Sequence, residues 1–565
     1  DFDLALRLQG NDDVAFEDDF QTFEEETQED IIEQQKREEL RREMEDLLNV
    51  FVEKNYEEIE RASKALIELF KKHREHISVI LSRNILLQLL NLMNENQDCV
   101  ASILQLIIHI MQDEEYKEKI LTTFCVMGGI SKLRYLSEGD FLDNVRIASA
   151  FIIQEICYLP ATLQMFVACE GLLTLVRFLN VKIYPLEMNR IGVNGILAFF
   201  NLAPQIKIQK MHFFQVLMEQ DLLDELGKTM SRMMEQHNIS YLEKCIDIIS
   251  EFAQGTSSVK QAVCNSSLLA ILLKVFETPD DEVLESCILR ILRIVRDLAV
   301  ADDTILSAVE IFLVPFIQYS NKCLEDDTEF QDGHPPVVHT LFHLCFLDQR
   351  RQNIAAKSGA VGFLKHIIQL NNSLKEFAVP LLCLFVRCKA ETRDYLWKEG
   401  GLDLYLSLLG DKSWFTDGLQ AIGDWCSAKD SRVEEVLQKP ENIKKITHVF
   451  KQASQQSIAL QVFQNVLDSL LKITSSSVEI CRSLSSRDLH FVEGIANSLK
   501  SRNLYVREKS LRVLFNLFEK HENPWLFISQ KDLWEPLTEL AANDPAVVVK
   551  NLAKLLIDNA EKKKN

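Results

Sequence analysis

Glu170-Gly171-Leu172-Leu173-Thr174-Leu175-Val176-Arg177-Phe178-Leu179 is the stretch that decides how this chain folds. A glycine-containing turn runs straight into an apolar segment about as long as a short helix. Glycine at such a point lets one helix end and the next leave at a sharp angle. The same unit returns as Arg83-Asn84-Ile85-Leu86, Gly128-Gly129-Ile130, Gln220-Asp221-Leu222, Ser266-Ser267-Leu268, Ser358-Gly359-Ala360 and Gly400-Gly401-Leu402. Weaker copies open near Glu441-Asn442-Ile443, Arg487-Asp488-Leu489 and Lys531-Asp532-Leu533.

The spacing of these copies is regular. From Asn84 the steps to Gly129, Gly171, Asp221 and Ser266 are 45, 42, 50 and 45 residues. From Gly359 the steps to Gly401, Asn442, Asp488 and Asp532 are 42, 41, 46 and 44. The 93 residues between Ser266 and Gly359 are about two periods, which predicts a degenerate copy near Phe312. A period of roughly 40–47 residues is that of armadillo and HEAT arrays, whereas ankyrin and tetratricopeptide arrays repeat at about 33 or 34. Each unit pairs the short apolar helix with a longer amphipathic one, such as Asp281 to Ala299. Neither buries its apolar face alone, so stacked neighbours must supply a continuous core. The sequence therefore predicts an all-α, armadillo/HEAT-like, right-handed superhelical solenoid of about eleven repeats over 57–560.

Composition agrees with long helices and short turns. Apolar residues make up 47% of the 565, with only 18 Gly and 12 Pro. A net charge of -22 argues against nucleic acid and anionic membrane as partners. No apolar run reaches the roughly 20 residues of a membrane span, so no insertion is expected. Thirteen cysteines, none in a CxxC pair, read as reduced core thiols of a cytoplasmic protein.

The ends and one interior segment depart from the repeat. Residues 1–30 hold twelve Asp or Glu against Arg7, with Phe2, Phe16, Phe20 and Phe23 interleaved, and read as a flexible acidic arm. Within it Phe16, Asp18, Asp19 and Phe20 are candidate docking residues, the aromatics as anchors and the acids steering a basic partner. Residues 31–56 read as a charged amphipathic helix with Leu40, Met44, Leu47, Leu48 and Phe51 on one side, suited to capping the array or to homodimerisation. Lys322 to Pro336 is acidic and turn-rich and reads as an exposed loop, and 561–565 as a frayed basic tail.

Catalytic signatures are missing. The chain has no GxxxxGK[ST] loop, no set of kinase motifs, no HExxH and no GxSxG elbow. It is therefore read as non-enzymatic, with no cofactor and no metal. His334, His339 and His343 come nearest to a ligand cluster, but lack Glu or Cys at ligand spacing and read as partly buried helix histidines. Arg290, Arg293 and Arg296 form a stripe opposite Ile288, Leu292 and Val295 on a long helix. In an acidic protein that stripe is a candidate partner-binding surface, with ion pairing to neighbouring repeats as the plainer reading. Trp397, Trp414 and Trp425 read mainly as core.

Two stretches go beyond generic repeat pattern. One is Gln164-Met165-Phe166-Val167-Ala168-Cys169-Glu170-Gly171-Leu172 through Leu179, followed by Arg190-Ile191-Gly192-Val193-Asn194-Gly195-Ile196. The other runs from Ala378-Val379-Pro380-Leu381-Leu382-Cys383 to Gly401-Leu402-Asp403-Leu404-Tyr405-Leu406-Ser407-Leu408-Leu409, then Trp414, Ala421-Ile422 and Val433-Glu434-Glu435. Both resemble the armadillo region that follows the kinase domain in the plant mitogen-activated kinase kinase kinase epsilon group, to which the fungal septation-initiation and mitotic-exit kinases belong. The resemblance covers about 160–440 and implies a fragment, beginning at Asp1, of a Ser/Thr kinase whose kinase half is absent. It further implies a regulatory and targeting scaffold that binds a small Ras-like GTPase and a spindle-pole-body scaffold to control septation and mitotic exit, in the cytoplasm and at the spindle pole. An importin-like cargo receptor is the alternative, but only Asn201 and Asn516 sit at plausible ladder positions, with Leu197 and Arg512 where tryptophans are expected. A homodimerising structural scaffold is the third reading.

Overall fold

The computed structural model describes residues 28–82, 84–278, 285–325, 331–370, 373–455, 459–486 and 489–563. Among these residues every regular element is a helix. After the helices Gln28–Val52 and Ile59–Lys72, the remaining α-helices fall into eleven successive triplets of short first, middle and long third helix, from Ser78–Ser82, Ile85–Glu95 and Val100–Ile110 to Pro524–Ile528, Lys531–Asn543 and Val547–Lys562. The chain is an all-α solenoid. It divides into two compact units, residues 1–174 and 175–565.

The elbow between first and second helix is where the quoted motif sits. Asn84, Gly128, Glu170, Asp221, Gly359 and Gly400 all have left-handed backbone there, with φ between 54° and 97°. Glycine adopts this conformation freely, whereas Glu170 and Asp221 bear a strain held by the packed helices on either side. Gly128-Gly129 shows why two glycines recur: the first supplies the positive φ, and a Cβ on the second would strike the ring of Phe124. The degenerate copy expected near Phe312 is present as a 3-10 turn, Glu310–Phe312, opening the helix Leu313–Glu325. The weaker copies differ. Asn442 and Asp532 lie inside helices, Asp488 lies outside the described residues, and the left-handed residue of that repeat is His490.

In the first unit, Gln28–Val52 packs on Ile59–Lys72 and Ile85–Glu95, burying Met44, Leu48 and Phe51. The apolar stripe offered above for homodimerisation is thus largely covered within the same chain. The helix begins at Gln28, three residues before its expected start at 31, and ends at Val52 rather than 56. In the second unit the third helices pack in sequence, from Leu186–Leu202 through Ile239–Ala253, Glu285–Ala299 and His334–Cys345 to Val547–Lys562. Each contributes one apolar face to a shared core, such as Cys287, Ile291, Leu292, Ile294, Val295 and Leu298.

Two expected irregular segments are corrected. Of the loop placed at 322–336, residues 322–325 complete a helix and 331–336 are helical, while 326–330 lie outside the described residues. Pro335 and Pro336 sit in the first turn of their helix, where a missing N–H costs no hydrogen bond. The tail is helical through Lys562, and Lys563 ion-pairs with Glu519 at 3.6 Å.

Candidate functional site

The third helices of the second unit are joined to one another by a ladder of polar links, each spanning about one repeat. Lys244 donates to Asn194 Oδ1 at 2.8 Å, and Arg290 to Asp247 Oδ1 at 3.0 Å. Ser286 reaches Glu243, and Asp424 takes both Arg387 and Lys472, at 2.7 and 2.5 Å. Asp468 receives Tyr505 and Lys509. Half-exposed pairs of this kind add about 0–1 kcal/mol each. Their main effect is to hold adjacent repeats in register, so that a row of side chains presents one surface.

The arginine stripe splits three ways on this surface. Arg290 is tied to Asp247 of the preceding third helix, and its buried Nε finds no acceptor among the described residues. Arg296 is bonded to the adjacent Asp297, its Nη2 lying 2.6 Å from Oδ1. Arg293 is exposed and has no ion pair among the described residues. Burial pushes the Asp247 carboxyl above its usual range against the pull of Arg290. On the next third helix, His339 lies 4.4 Å from the Phe377 ring, and burial, then the Arg296 charge, holds its imidazole below the ordinary value.

A groove of about 790 Å³ opens beside the turn that follows the same helix, lined by Asp303, Ser307, Phe342, Leu347, Arg350 and Arg351. Leu347 is 89% exposed, which is unusual for so apolar a side chain, and Phe346 beside it is 42% exposed. Arg351 is almost fully buried and satisfied by Glu310, at 2.9 Å, and by Ser307. Hydrogen bonds from Arg350, and then from Arg351, hold Glu310 below its usual carboxylate range although burial opposes them. Sequence reasoning missed this groove. The apolar pair Phe346-Leu347 ahead of the helix-capping Asp348 was the available signal.

The other expected residues are dispersed. Phe16, Asp18, Asp19 and Phe20 lie outside the described residues. His334, His339 and His343 sit on one helix, each lowered by burial, and no group of three metal-ligating side chains occurs among the described residues. Trp425 is fully buried and donates to Asp430, while Trp397 packs edge-on against it under Arg432. Nine of the thirteen thiols are buried and Cys169 is exposed. Burial pushes Cys125 up to about 12, far from the thiolate a nucleophile needs. No single helix among the described residues is long and apolar enough to cross a membrane.

The Arg190–Ile196 segment behaves as packing. A Cβ on Gly192 would lie 2.9 Å from the Leu175 carbonyl, and one on Gly195 2.7 Å from a Leu175 methyl. Asn189 donates to the Phe178 carbonyl at 2.6 Å and accepts from Arg232 at 2.7 Å.

No family model matches the chain. An engineered protein of solved structure aligns at TM-score 0.51 and 14% identity, over 76% of this chain and 98% of its own. A structure described as a phosphorylation switch controlling the interaction between cadherin and beta-catenin aligns at 0.56 and 12%, over 92% and 99%. Both speak to the fold alone. Among sequences, the cytokinesis protein sepH of Emericella nidulans is 26% identical over 88% of this chain and 37% of its own length. MAP3K epsilon protein kinase 1 of Arabidopsis thaliana is 30% identical over 53% and 21%. Cell division control protein 7 of Schizosaccharomyces pombe is 25% identical over 77% and 40%. The chain thus spans 21–40% of the length of these relatives. Over 53–88% of its own length it is homologous to the fungal septation kinases and the plant MAP3K epsilon group.

Proposed function

We propose that this chain is the non-catalytic regulatory and targeting scaffold of a septation-signalling kinase, and that its third-helix face docks a small Ras-like GTPase. The observation that carries the reading is the homology to a cytokinesis protein across 88% of the chain. Arg293, exposed on the third-helix face between two arginines already bonded to acids, is the one arginine of that stripe open to an acidic partner surface. The segment with Phe16, Asp18, Asp19 and Phe20 is the proposed contact for a spindle-pole-body scaffold, which would recruit the cytoplasmic protein to that site. Pull-down with Ras-like GTPases loaded with GTP or GDP analogues tests the first contact. Retention by the full chain, weakened at least about tenfold by Arg293→Glu, is expected for a central charged contact. Retention of no GTPase in either nucleotide state overturns it.

A further inference from the structure

The middle helix Pro440–Ala453 buries Ile443, Ile446, Thr447, Val449, Phe450 and Ala453. On its opposite side Lys444, Lys445, His448 and Lys451 are all exposed, and Lys439 is exposed just before it. Spacings of one, three and four residues put these side chains on one ridge. Several other cations of the second unit are matched: Arg290 by Asp247, Arg350 and Arg351 by Glu310, Arg387 and Lys472 by Asp424, Arg432 by Asp394 and Asp430, Lys509 by Asp468, whereas Arg293, Lys274 and Lys357 are exposed singly. On this ridge no lysine or histidine side chain has a hydrogen bond or ion pair to any described residue. The neighbouring middle helix Phe491–Leu499 carries one acid, Glu493, which lies 3.0 Å from the His490 ring nitrogen. Beyond it Lys500 and Arg502 are also exposed.

We infer that this ridge docks an acidic peptide, a segment of a partner protein with three or four consecutive carboxylates. Length agrees: at 1.5 Å per residue the ridge from Lys444 to Lys451 is about 10 Å long. An extended peptide advances about 3.3 Å per residue, so three or four acids in a row cover it. Charge decides the class of ligand. A chain of net charge -22 repels an extended polyanion such as a duplex or a membrane surface. A short peptide meets mainly the charges within a Debye length of about 8–10 Å, and on this helix and the residue before it Lys439, Lys444, Lys445 and Lys451 outnumber the single acid Glu441. The inference does not depend on the GTPase reading, and failure of one leaves the other standing.

The test is fluorescence anisotropy with the full chain and a labelled peptide carrying four consecutive glutamates, its four-glutamine counterpart, duplex DNA and phosphatidylserine vesicles, at about 100 mM salt. Saturable binding of the glutamate peptide is expected, with the glutamine peptide at least about tenfold weaker and affinity falling as salt rises. The triple variant Lys444→Glu, Lys445→Glu, Lys451→Glu should lose at least about tenfold in affinity, with its thermal melt unchanged because all three are exposed. A charge-matched control reverses Lys64, Lys71 and Lys228, which lie beside Glu60, Glu68 and Glu225, and should lose less than about twofold. Equal loss in the two variants overturns the inference, as does no binding of the glutamate peptide. DNA or vesicles bound as tightly as the peptide, and released by the ridge variant, would overturn the choice of ligand.

Discussion

Two third helices of the second unit occupy equivalent places in the repeat and solve opposite problems. Leu186–Leu202 is buried on nearly every side from Met188 to Phe200, with Gly192 and Gly195 letting Leu175 press against its backbone. Glu285–Ala299 buries one face and turns its arginines outward. The first can tolerate almost no added volume, since close-packed interiors register single methylenes. The second can exchange side chains on its outer face with little effect on stability, which is what a recognition surface requires. The Arg190–Ile196 motif, part of the family resemblance, is therefore a packing motif.

The comparison breaks most visibly at the glycines. Gly192→Leu should destabilise the chain by about 2–3 kcal/mol, since the new side chain meets the Leu175 carbonyl and neighbouring apolar groups. Urea unfolding followed by circular dichroism measures it, and a loss below about 1 kcal/mol would mean the helix is looser than described. Next, Asn189→Ala strands the Phe178 carbonyl and removes one acceptor of Arg232, for about 1–2 kcal/mol in the same assay. On the arginine helix, Arg290→Met should cost under about 1 kcal/mol, because the Asp247 pair is partly exposed. Arg293→Ala should stay within about 0.5 kcal/mol of the parent protein while weakening any GTPase contact.

A titration sharpens the Arg290 result. Asp247 is raised by burial, with Arg290 pulling the other way. A carboxyl whose folded pKa exceeds its unfolded value favours the fold at low pH, and that contribution is lost as pH rises through the folded value. Arg290→Met removes the opposing charge, so carboxyl NMR should show Asp247 titrating higher still. An unmoved value would show that Arg290 does not act on it.

Legibility in the sequence followed locality. The elbows at Gly128, Gly359 and Gly400 were readable because a left-handed turn between helices selects glycine by its own sterics. The pairs Glu441-Asn442 and Lys531-Asp532 do mark the starts of the middle helices Pro440–Ala453 and Lys531–Asn543, but they lie inside the first turn rather than at a left-handed elbow. The loop at 322–336 was overread for a related reason. Proline marks a break only where its missing N–H is needed, and at the start of a helix it is not.

The sequence by itself determined the helices, their period and the solenoid, because apolar spacing and turn chemistry act over one repeat. Tertiary structure alone decided which charges are spent and which are free. Arg290 and Arg296 look alike in the sequence, yet one is held by an acid 43 residues away and the other by its neighbour, while Arg293 faces outward. Likewise Lys444, Lys445 and Lys451 are set apart by making no ion pair among the described residues, although Glu441 lies one turn away. Pairing across repeats depends on how neighbouring helices stack, and no local pattern encodes that partner.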